Sequence, residues 1–293
     1  MDFRKTAFQA IGTEWSVEAL EPVTDDDWQQ ILQRLHARID AFDAVYSRFR
    51  GDSLVTRMSQ RAGNYELPED GYALLQCYER LYQATHGKIT PLIGQVMVDA
   101  GYDANYSLQV GTLQSPPRWE DVLSYDARSL TLRAPALLDF GAAGKGYLVD
   151  LVGELIAASG LNSYLINAGG DILHRSVEHT EVRAGLENPA DATEVIGVAT
   201  FANQSLCASA GTKRQWSGLH HIIDPDALHS PESITATWVL ADSTMLADGL
   251  ASALFFTDPE ILRWRFNFSY ALLDAGGGLR YSKDFPVTLF EEA

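Results

Sequence analysis

Cysteine and positive charge are both scarce in this sequence. Its 293 residues include only Cys77 and Cys207, which lack the CxxC spacing of a zinc site and are too few for a disulfide framework. A single disulfide between them stays open at this point. Lysine and arginine number 22 against 39 aspartates and glutamates, giving a formal net charge of −17. Because binding to DNA phosphates or to anionic lipid depends on clustered cations, the composition argues against both partners.

Long apolar runs and prolines are also scarce. No stretch reaches the ~18 apolar residues of a membrane span, and the amino terminus, MDFRKTAFQAIGTEW, lacks the ~7–15-residue apolar core of a secretory signal. From this we expect a cytoplasmic protein. With 11 prolines, 46% apolar residues and 10% aromatic residues, the chain has the composition of a folded protein, not of a disordered one.

Apolar periodicity predicts helices that alternate with strands. Helices are expected from a Thr24 cap through Phe42, from Glu69 to Gly87, from Gly146 to Gly160 and from Met245 to Phe256. Strands are expected at Gly12–Leu20, Ser163–Asn167, Val195–Phe201, Thr235–Leu240 and Tyr270–Leu273. Residues 88–120 are rich in glycine and proline and are expected to be mostly loop. No repeat and no long linker divides the chain.

A glycine-rich segment, Leu138–Tyr147, joins an apolar run to the helix expected at Gly146. Glycines at such a junction let a ligand approach free backbone amides, where the helix dipole favours an anion. The segment is not a Walker A loop, because Asp139 and Gly146 stand where a glycine and a Ser/Thr are needed, and Val149 breaks a Rossmann fingerprint. A phosphate site and a tight packing turn are both left open.

Two further segments have both a functional and an ordinary interpretation. In Asn167–Asp171, paired glycines suit the flat approach of a ring, or a turn with Asp171 as its Asx residue. In His220–Pro225, a histidine could move protons near neutral pH or could simply end a strand with a hydrogen bond to a carbonyl.

Asp248 and Ser252 stand four residues apart, so on a helix their oxygens share one face. Mg²⁺ binds carboxylate, hydroxyl, carbonyl and water oxygens, so the pair could supply part of a magnesium site. The ordinary interpretation is a capping aspartate followed by a tolerated serine.

Taken in order, these segments resemble the ApbE family, the FAD:protein FMN transferases, from about Gly12 to Phe256. Six segments follow the family's order and spacing, and the Gly-rich one is followed at the expected distance by Asn167–Asp171. They are Ile11–Thr13 (Met-Gly-Thr in the family), Ser47–Met58 (Ser-x-aromatic…Ser-Glu-Leu-Ser), Gly87–Pro91 (Gly-Ala-Phe-Asp-Pro), Leu138–Asp150 (Asp-Leu-Gly-Gly-Ile-Ala-Lys-Gly-Tyr…Asp), His221–Pro225 and Ala247–Ser252.

The resemblance implies an α/β (α+β) fold of the ApbE type, with residues 1–293 as a single flavin transferase domain and FAD in a cleft between two lobes. It also implies Mg²⁺ at the FAD pyrophosphate, bound by the Asp248 carboxylate, the Ser252 hydroxyl and the Gly144 carbonyl. Phe49 matches the aromatic residue that stacks on the flavin ring, and Lys145 matches the family lysine. The implied FAD contacts are Ile11, Phe49, Lys88, Ile89, Thr90, Gly141, Lys145, Tyr147 and Ile223, together with His221.

The implied reaction is flavinylation of a partner protein. A Thr or Ser hydroxyl of an acceptor flavoprotein attacks the FMN-side phosphorus of FAD, and AMP is released. Asp248 and His221 are the expected catalytic residues, His221 as the proton acceptor or as the residue that organises it. Because family members are often exported, an export signal missing from this sequence is the alternative to the cytoplasmic expectation.

The sequence departs from the family pattern at several positions. The alternatives are therefore a FAD pyrophosphatase that yields FMN and AMP, and a noncatalytic FAD-binding protein. The departures are Ile11 for Met, Ser59 for Asn, Thr90 for Asp, Ala210 for Ser and Ala227-Leu228 for Thr-Gly.

Overall fold

The computed structural model describes residues 2–290, along which helices and strands are interspersed. The helices are α1 (Asp25–Tyr46), α2 (Leu54–Met58), α3 (Gly71–Ala84), α4 (Gly94–Asp99), α5 (Trp119–Val122), α6 (Gly144–Ala158), α7 (Thr244–Ala253) and α8 (Pro259–Arg263), with a 3-10 helix at Pro91–Ile93. The strands are β1 (Asp2–Ala10), β2 (Thr13–Val23), β3 (Gly63–Glu66), β4 (Leu123–Tyr125), β5 (Ser129–Leu132), β6 (Tyr164–Ala168), β7 (Asp171–Arg175), β8 (Val182–Asn188), β9 (Asp191–Phe201), β10 (Ser205–Ala210), β11 (Gln215–Trp216), β12 (Leu219–His220), β13 (Ile234–Ala241), β14 (Ser269–Asp274), β15 (Leu279–Tyr281) and β16 (Val287–Leu289).

An eight-stranded sheet organises the fold, in the order β1-β2-β6-β7-β10-β13-β14-β15. Every neighbouring pair in it is antiparallel. Smaller sheets are β16-β9-β8, β3-β5-β4 and the hairpin β11-β12. A mainly antiparallel sheet with its helices grouped apart is an α+β arrangement, so the expected fold class is confirmed.

Both faces of the large sheet are covered, as strand β13 shows. Val239 and Ala241 point into a core shared with the helices, whereas Trp238 and Leu240 pack with the β8–β9 sheet on the other face. Because successive side chains of a strand alternate between faces, burial on both sides makes the strand apolar almost throughout. This explains the apolar run that predicted a strand at Thr235–Leu240.

Helices α1, α3, α6 and α7 form the layer on the first face. The Thr24 hydroxyl caps α1 by accepting from the Asp27 amide at 3.2 Å, which confirms the predicted start. The predicted apolar stripe is buried and contains Trp28, Ile31, Leu32, Leu35, Ile39 and Phe42.

Residues 88–120 contain more helix than was predicted. The 3-10 helix and α4 bury Leu92, Val96 and Met97. Gly94 was predicted to lie in a loop, but a Cβ there would overlap the Leu137 carbonyl, so the glycine allows close packing inside a helix. Helix α6 likewise begins at Gly144, two residues before the predicted start.

The two cysteines are both free and buried, which settles the disulfide left open by the sequence. Burial raises the pKa of the Cys77 thiol to about 12, so this residue behaves as a small apolar side chain. Across residues 2–290, no helix has the length and apolar character needed to cross a membrane.

Candidate functional site

A cavity of about 540 Å³ brings the predicted site residues together. Its walls come from the β1–β2 turn, the α1–α2 loop, the segment before α4, the start of α6, the end of β10, the loop after β12, and α7. The predicted site residues that line it are Ile11, Phe49, Lys88, Ile89, Thr90, Gly141, Gly144, Lys145, His221, Ile223, Asp248 and Ser252.

Tyr147 is the predicted residue that the structure does not bring to the cavity. Its ring packs against Phe42, and its hydroxyl donates to the Asp70 carbonyl at 3.0 Å. This position on the buried side of α6 is that of a packing residue, and its contact with FAD stays a prediction.

Helices α6 and α7 meet at Gly146 and Asp248. The Gly146 amide donates to the Asp248 carboxylate at 2.9 Å. A Cβ on Gly146 would lie 2.7 Å from the Asp248 Cβ and closer still to the Thr244 carbonyl, so only glycine lets the helices approach this far. Asp248 does not cap its own helix, because Ser243 does so by accepting from the Leu246 amide. The capping interpretation of Asp248 is therefore wrong for α7.

Asp150 holds the start of α7 in place. Its carboxylate accepts from the Thr244 and Met245 amides, both at 2.8 Å, and from the Ser243 hydroxyl at 2.9 Å. The two amides are donors that the start of a helix otherwise leaves unpaired. Asp150 on α6 thereby fixes the position from which Asp248 faces the cavity.

Asp248 lies in a buried cluster with Lys145 and Asp171. Burial, together with the nearby Asp171 carboxylate, raises the pKa of Asp248 to about 8. Burial lowers the pKa of Lys145, but the carboxylates of Asp171 and Asp248 outweigh that effect and raise it above its usual value. Lys145 forms an ion pair with Asp171, whose second oxygen is buried without a hydrogen-bond partner.

The segment from Asn167 to Asp171 forms the turn between β6 and β7. Asn167, and not Asp171, closes the turn by accepting from the Gly170 amide at 2.9 Å. The expectation that Asp171 is the Asx residue is therefore wrong. Asp171 is fully buried and forms an ion pair with Lys145, whereas Gly169 lines the cavity.

The backbone amides before and within the first turn of α6 are largely occupied. The Gly141 amide donates to Asp139 at 2.6 Å, and the Ala142 and Ala143 amides donate to the Tyr78 hydroxyl at 3.1 and 3.2 Å. The Gly146 amide is bound to Asp248. The glycine-rich segment is therefore built as a packing turn, and these four amides are not free for a phosphate.

The two adjacent histidines have different surroundings. His220 shows the ordinary arrangement, with Nε2 at 3.0 Å from the Pro231 carbonyl. His221 lines the cavity, and its buried Nδ1 has no hydrogen-bond partner. Burial, with the positive charge of Arg214 in addition, lowers the pKa of His221 to about 3. His221 is therefore neutral at physiological pH and able to accept a hydrogen bond.

Lys88 connects the segment before α4 to the loop after β12. Its ammonium group lies 2.7 Å from Asp224 and 2.8 Å from Asp226. Asp224 also accepts from the Asp226 and Ala227 amides, which fixes the turn after His221.

Aromatic rings line another wall of the cavity. Phe49 and Tyr106 are parallel within 5°, with centroids 5.5 Å apart, and both are exposed. The Arg48 guanidinium lies 4.1 Å from the Phe49 centroid, forms an ion pair with Asp139 and donates to the Tyr102 carbonyl at 2.6 Å. A flat aromatic ligand could stack here on a surface that Arg48 holds in place.

Sequence reasoning missed several residues of this cavity. Arg48 directly precedes Phe49 in the Ser47–Met58 segment, so its positive charge beside the predicted stacking residue could have identified it. Tyr102 and Tyr106 lie in the stretch predicted to be mostly loop, where the spacing of apolar residues cannot predict which side chains face a cavity. Arg214 also lines the cavity and carries no motif.

The residues expected to hold a metal suit a hard cation. Asp248 and Ser252 lie one turn apart on α7 and face the cavity with Gly144. The raised pKa of Asp248 shows that its charge is costly where it stands, and a cation would offset that cost. Among residues 2–290 there is no cluster of three His, Cys, Asp or Glu residues able to hold a metal. One carboxylate with hydroxyl, carbonyl and water oxygens is a donor set of the kind that Mg²⁺ accepts.

Solved structures of similar shape support this fold assignment. The chain superposes on the ApbE protein from Thermotoga maritima with a TM-score of 0.82 at 18% identity, covering 96% of this chain and 97% of the other. It superposes on the flavin transferase ApbE from Vibrio cholerae with a TM-score of 0.80 at 17% identity, covering 96% of each.

Sequence comparison gives the same result. A protein of Klebsiella pneumoniae named FAD:protein FMN transferase is 22% identical over 300 residues, which cover 93% of this chain and 85% of the relative. A Haemophilus influenzae protein of the same name is 26% identical, covering 84% of this chain and 78% of the relative. The sequence model of the ApbE family matches residues 11–270. The chain therefore belongs to the ApbE family.

Proposed function

We propose that this chain is a Mg²⁺-dependent FAD:protein FMN transferase that attaches FMN to a Thr or Ser hydroxyl of an acceptor flavoprotein and releases AMP. The observation that carries the proposal is the cavity itself. It brings the Asp248–Ser252 pair, Lys145 and His221 together with a stacking surface at Phe49, from segments far apart in the chain. Relatives that bear this activity in their names match most of the chain.

The cavity has separate regions for the flavin ring and for the pyrophosphate of FAD. The flavin ring would stack at Phe49, beside Tyr106, where flat apolar surface is exposed. The pyrophosphate would face Gly144, Asp248 and Ser252, which would hold Mg²⁺. When bound, the metal would neutralise phosphate charge and act as a Lewis acid. Lys145 adds positive charge at the same end, although its pairing with Asp171 leaves less of it for the ligand.

In this reaction the acceptor hydroxyl oxygen bonds to the FMN-side phosphorus. The bond from that phosphorus to the bridging oxygen breaks, AMP leaves with the bridging oxygen, and the hydroxyl proton passes to solvent water. His221, which lines the cavity, would accept a hydrogen bond from the hydroxyl through a ring nitrogen and so orient it. With a pKa of about 3, it is suited to orienting the hydroxyl and is too weak a base to hold the proton.

We also infer that residues 1–293 form a single flavin transferase domain, whose partner is an acceptor flavoprotein with a Thr/Ser flavinylation motif. The large sheet takes strands from both ends of the described chain, from β1 to β15, so no part of it separates as an independent sheet.

Mass spectrometry tests the transfer directly. The protein would be incubated with FAD and Mg²⁺, and with a flavoprotein domain known to be flavinylated by an ApbE-family enzyme. We expect the acceptor mass to increase by one FMN, with an equal amount of AMP. Asp248→Asn should abolish both products, whereas Asp126→Asn, in an exposed turn outside the cavity lining, should not. A wild-type protein that releases no AMP with any acceptor would contradict the proposal.

The departures from the family pattern keep two other functions in view. Ala210 lines the cavity where the family has a hydroxyl, and the Thr90 hydroxyl accepts from the Leu92 amide at 3.2 Å. These residues favour a protein that holds FAD without transferring FMN. Tight FAD binding with no AMP under any condition would identify that function, and FMN with AMP in the absence of acceptor would identify a pyrophosphatase.

A further inference from the structure

Arg214 differs from the other cations that line the cavity. It is an exposed residue between β10 and β11, and its guanidinium donates to the Tyr102 hydroxyl at 2.8 Å. Among residues 2–290, no carboxylate lies within ion-pair distance of it. The other lining cations each have an acidic partner: Arg48 pairs with Asp139, Arg50 with Asp43 and Asp52, Lys88 with Asp224 and Asp226, Lys145 with Asp171, and Lys213 with Glu187.

Few backbone amides around the start of α6 are free to donate hydrogen bonds to a phosphate. Four amides around the start of α6 donate to protein oxygens, and Lys145 is already paired. The chain as a whole carries a net charge of −17, so an anionic ligand approaches a protein of the same sign. An unpaired guanidinium is therefore the group best able to attract and bind it.

The position of Arg214 also indicates which part of the ligand it meets. Its guanidinium lies 6.0 Å from the Tyr102 centroid, and the Tyr102 ring contacts both Phe49 and Tyr106. His221 lines the same cavity, and the positive charge of Arg214 lowers its pKa. Arg214 thus reaches the cavity beside the stacking surface, and its charge acts on His221.

We propose that Arg214 binds the flavin-side phosphate of the nucleotide, the phosphate that FAD and FMN share. The inference rests on the proposed function, because it takes the cavity ligand to be a flavin nucleotide. Arg214 is then a substrate-binding residue that holds the phosphorus about to be attacked within reach of the His221 side of the cavity. The Tyr102 hydroxyl orients the guanidinium for this contact.

Equilibrium titrations with riboflavin, FMN and FAD test the assignment. The change in flavin fluorescence reports binding in each titration. Riboflavin carries the ring without phosphate, so it separates a ring contact from a phosphate contact. We expect Arg214→Gln to weaken FMN and FAD binding by roughly tenfold or more and to leave riboflavin within about twofold. Arg214→Lys should restore part of the loss, because it keeps the charge but not the planar donor pair.

Lys213→Gln is the matched control. Lys213 is the adjacent residue of the same loop and also lines the cavity, but it is paired with Glu187 at 3.0 Å. We expect this variant to bind all three flavins as the wild type does. The affinity of the wild type for FMN should also fall more steeply with salt than that of Arg214→Gln.

Several results would overturn the inference. An equal loss for riboflavin would assign Arg214 to the ring, a loss for FAD alone would assign it to the adenylate phosphate, and an unchanged affinity for all three would exclude contact. A rise in the KM for acceptor with unchanged flavin affinity would assign it to the partner protein. If the wild type binds none of the three flavins, the proposed function itself fails, and that result is visible before any variant is made.

Discussion

Asp248 on α7 accepts a hydrogen bond from the backbone amide of Gly146 on α6, at 2.9 Å. Two segments about a hundred residues apart in sequence meet at this bond, one glycine-rich and one acidic. The contact places a carboxylate at the start of α6 and leaves it beside the cavity, on the same helix face as Ser252. The proposed metal site therefore depends on how closely the two helices pack.

Gly146→Ala tests that dependence. The new Cβ would lie 2.7 Å from the Asp248 Cβ, so the helices must separate or the site must distort. Overpacking of this kind costs about 1–3 kcal/mol, and we expect a loss of unfolding free energy of that size with a loss of AMP release. Urea unfolding measures the first effect and product chromatography the second.

Gly51→Ala is the control for this substitution. A Cβ at Gly51 would have no atom within 4 Å, and the residue is exposed. We expect stability and activity to be unchanged. If Gly146→Ala behaved in the same way, the close approach of α6 and α7 would not be needed.

The buried ion pair of Arg48 and Asp139 supports the aromatic wall. The Arg48 side chain is 3% exposed, and Asp139 also accepts from the Gly141 amide. Asp139→Asn keeps that acceptor but leaves a buried guanidinium without a countercharge, which typically costs about 3–5 kcal/mol. We expect a loss of unfolding free energy of that order in denaturant titrations. Arg50→Gln, which breaks a solvent-exposed pair with Asp52 and a longer, partly exposed pair with Asp43, should change stability much less.

The lowered pKa of His221 should make the free energy of unfolding depend on pH. Its pKa in the folded state is about 3, below the usual 6.5, so between these values the unfolded chain binds a proton that the folded chain does not. The contribution of a neutral His221 is therefore complete above pH 6.5 and is lost as the pH falls toward 3. The groups that set this pKa besides burial are Arg214, His220, Asp139 and Lys145.

Replacing the His221 imidazole should remove its contribution to the loss of stability at low pH. We expect the drop in unfolding free energy between pH 7 and pH 4 to be smaller in His221→Gln by roughly 1–3 kcal/mol, a range that allows for the partial exposure of the ring. Urea unfolding at several pH values measures it. His86→Asn, at an exposed position, serves as control and should show the wild-type slope. Parallel curves for wild type and His221→Gln would mean that His221 titrates normally.

Much of the helical layer could be predicted from the sequence, because α1 and α3 each have one buried face and therefore a clear apolar period. The Thr24 cap and the stripe from Trp28 to Phe42 are examples. Strand β1 was not predicted, because its pairing with β2 depends on a turn at Ile11 and Gly12. From Phe3 to Ala10 its side chains alternate between exposed and half-buried positions, and none is fully buried. Helix α4 was missed because Gly94 indicates a loop in sequence and a close contact in structure.

The candidate site was predicted through resemblance more than through local pattern. Spacing placed Asp248 and Ser252 on one face, but it could not show that Asp248 binds the start of α6 instead of capping α7. That distinction depends on tertiary packing at Gly146. Similarly, nothing local separates Arg214 from Lys213; only the position of Glu187 does so.

Ser252 provides the sharpest test of the proposed metal site. Ser252 is 8% exposed, lies one turn after Asp248 and lines the cavity. If its hydroxyl is a metal ligand, Ser252→Thr keeps the oxygen and should retain Mg²⁺-dependent AMP release, whereas Ser252→Ala should lose most of it. If Ser252 is only a tolerated polar residue, Ser252→Ala should be active and slightly more stable, because alanine is the better helix former by a few tenths of a kcal/mol.

Activity and stability must be measured together to separate these outcomes. A ligand role makes the alanine variant as stable as the wild type in thermal unfolding yet inactive at limiting Mg²⁺, with partial recovery as Mg²⁺ is raised, because Asp248 still binds the ion. A packing role instead moves the melting temperature and leaves the Mg²⁺ dependence unchanged. Ser209→Ala is the matched control, since Ser209 lines the same cavity from β10 and is not an expected metal ligand. Wild-type activity of Ser252→Ala at limiting Mg²⁺ would remove the hydroxyl from the metal site and leave Asp248 and Gly144 to hold it with water.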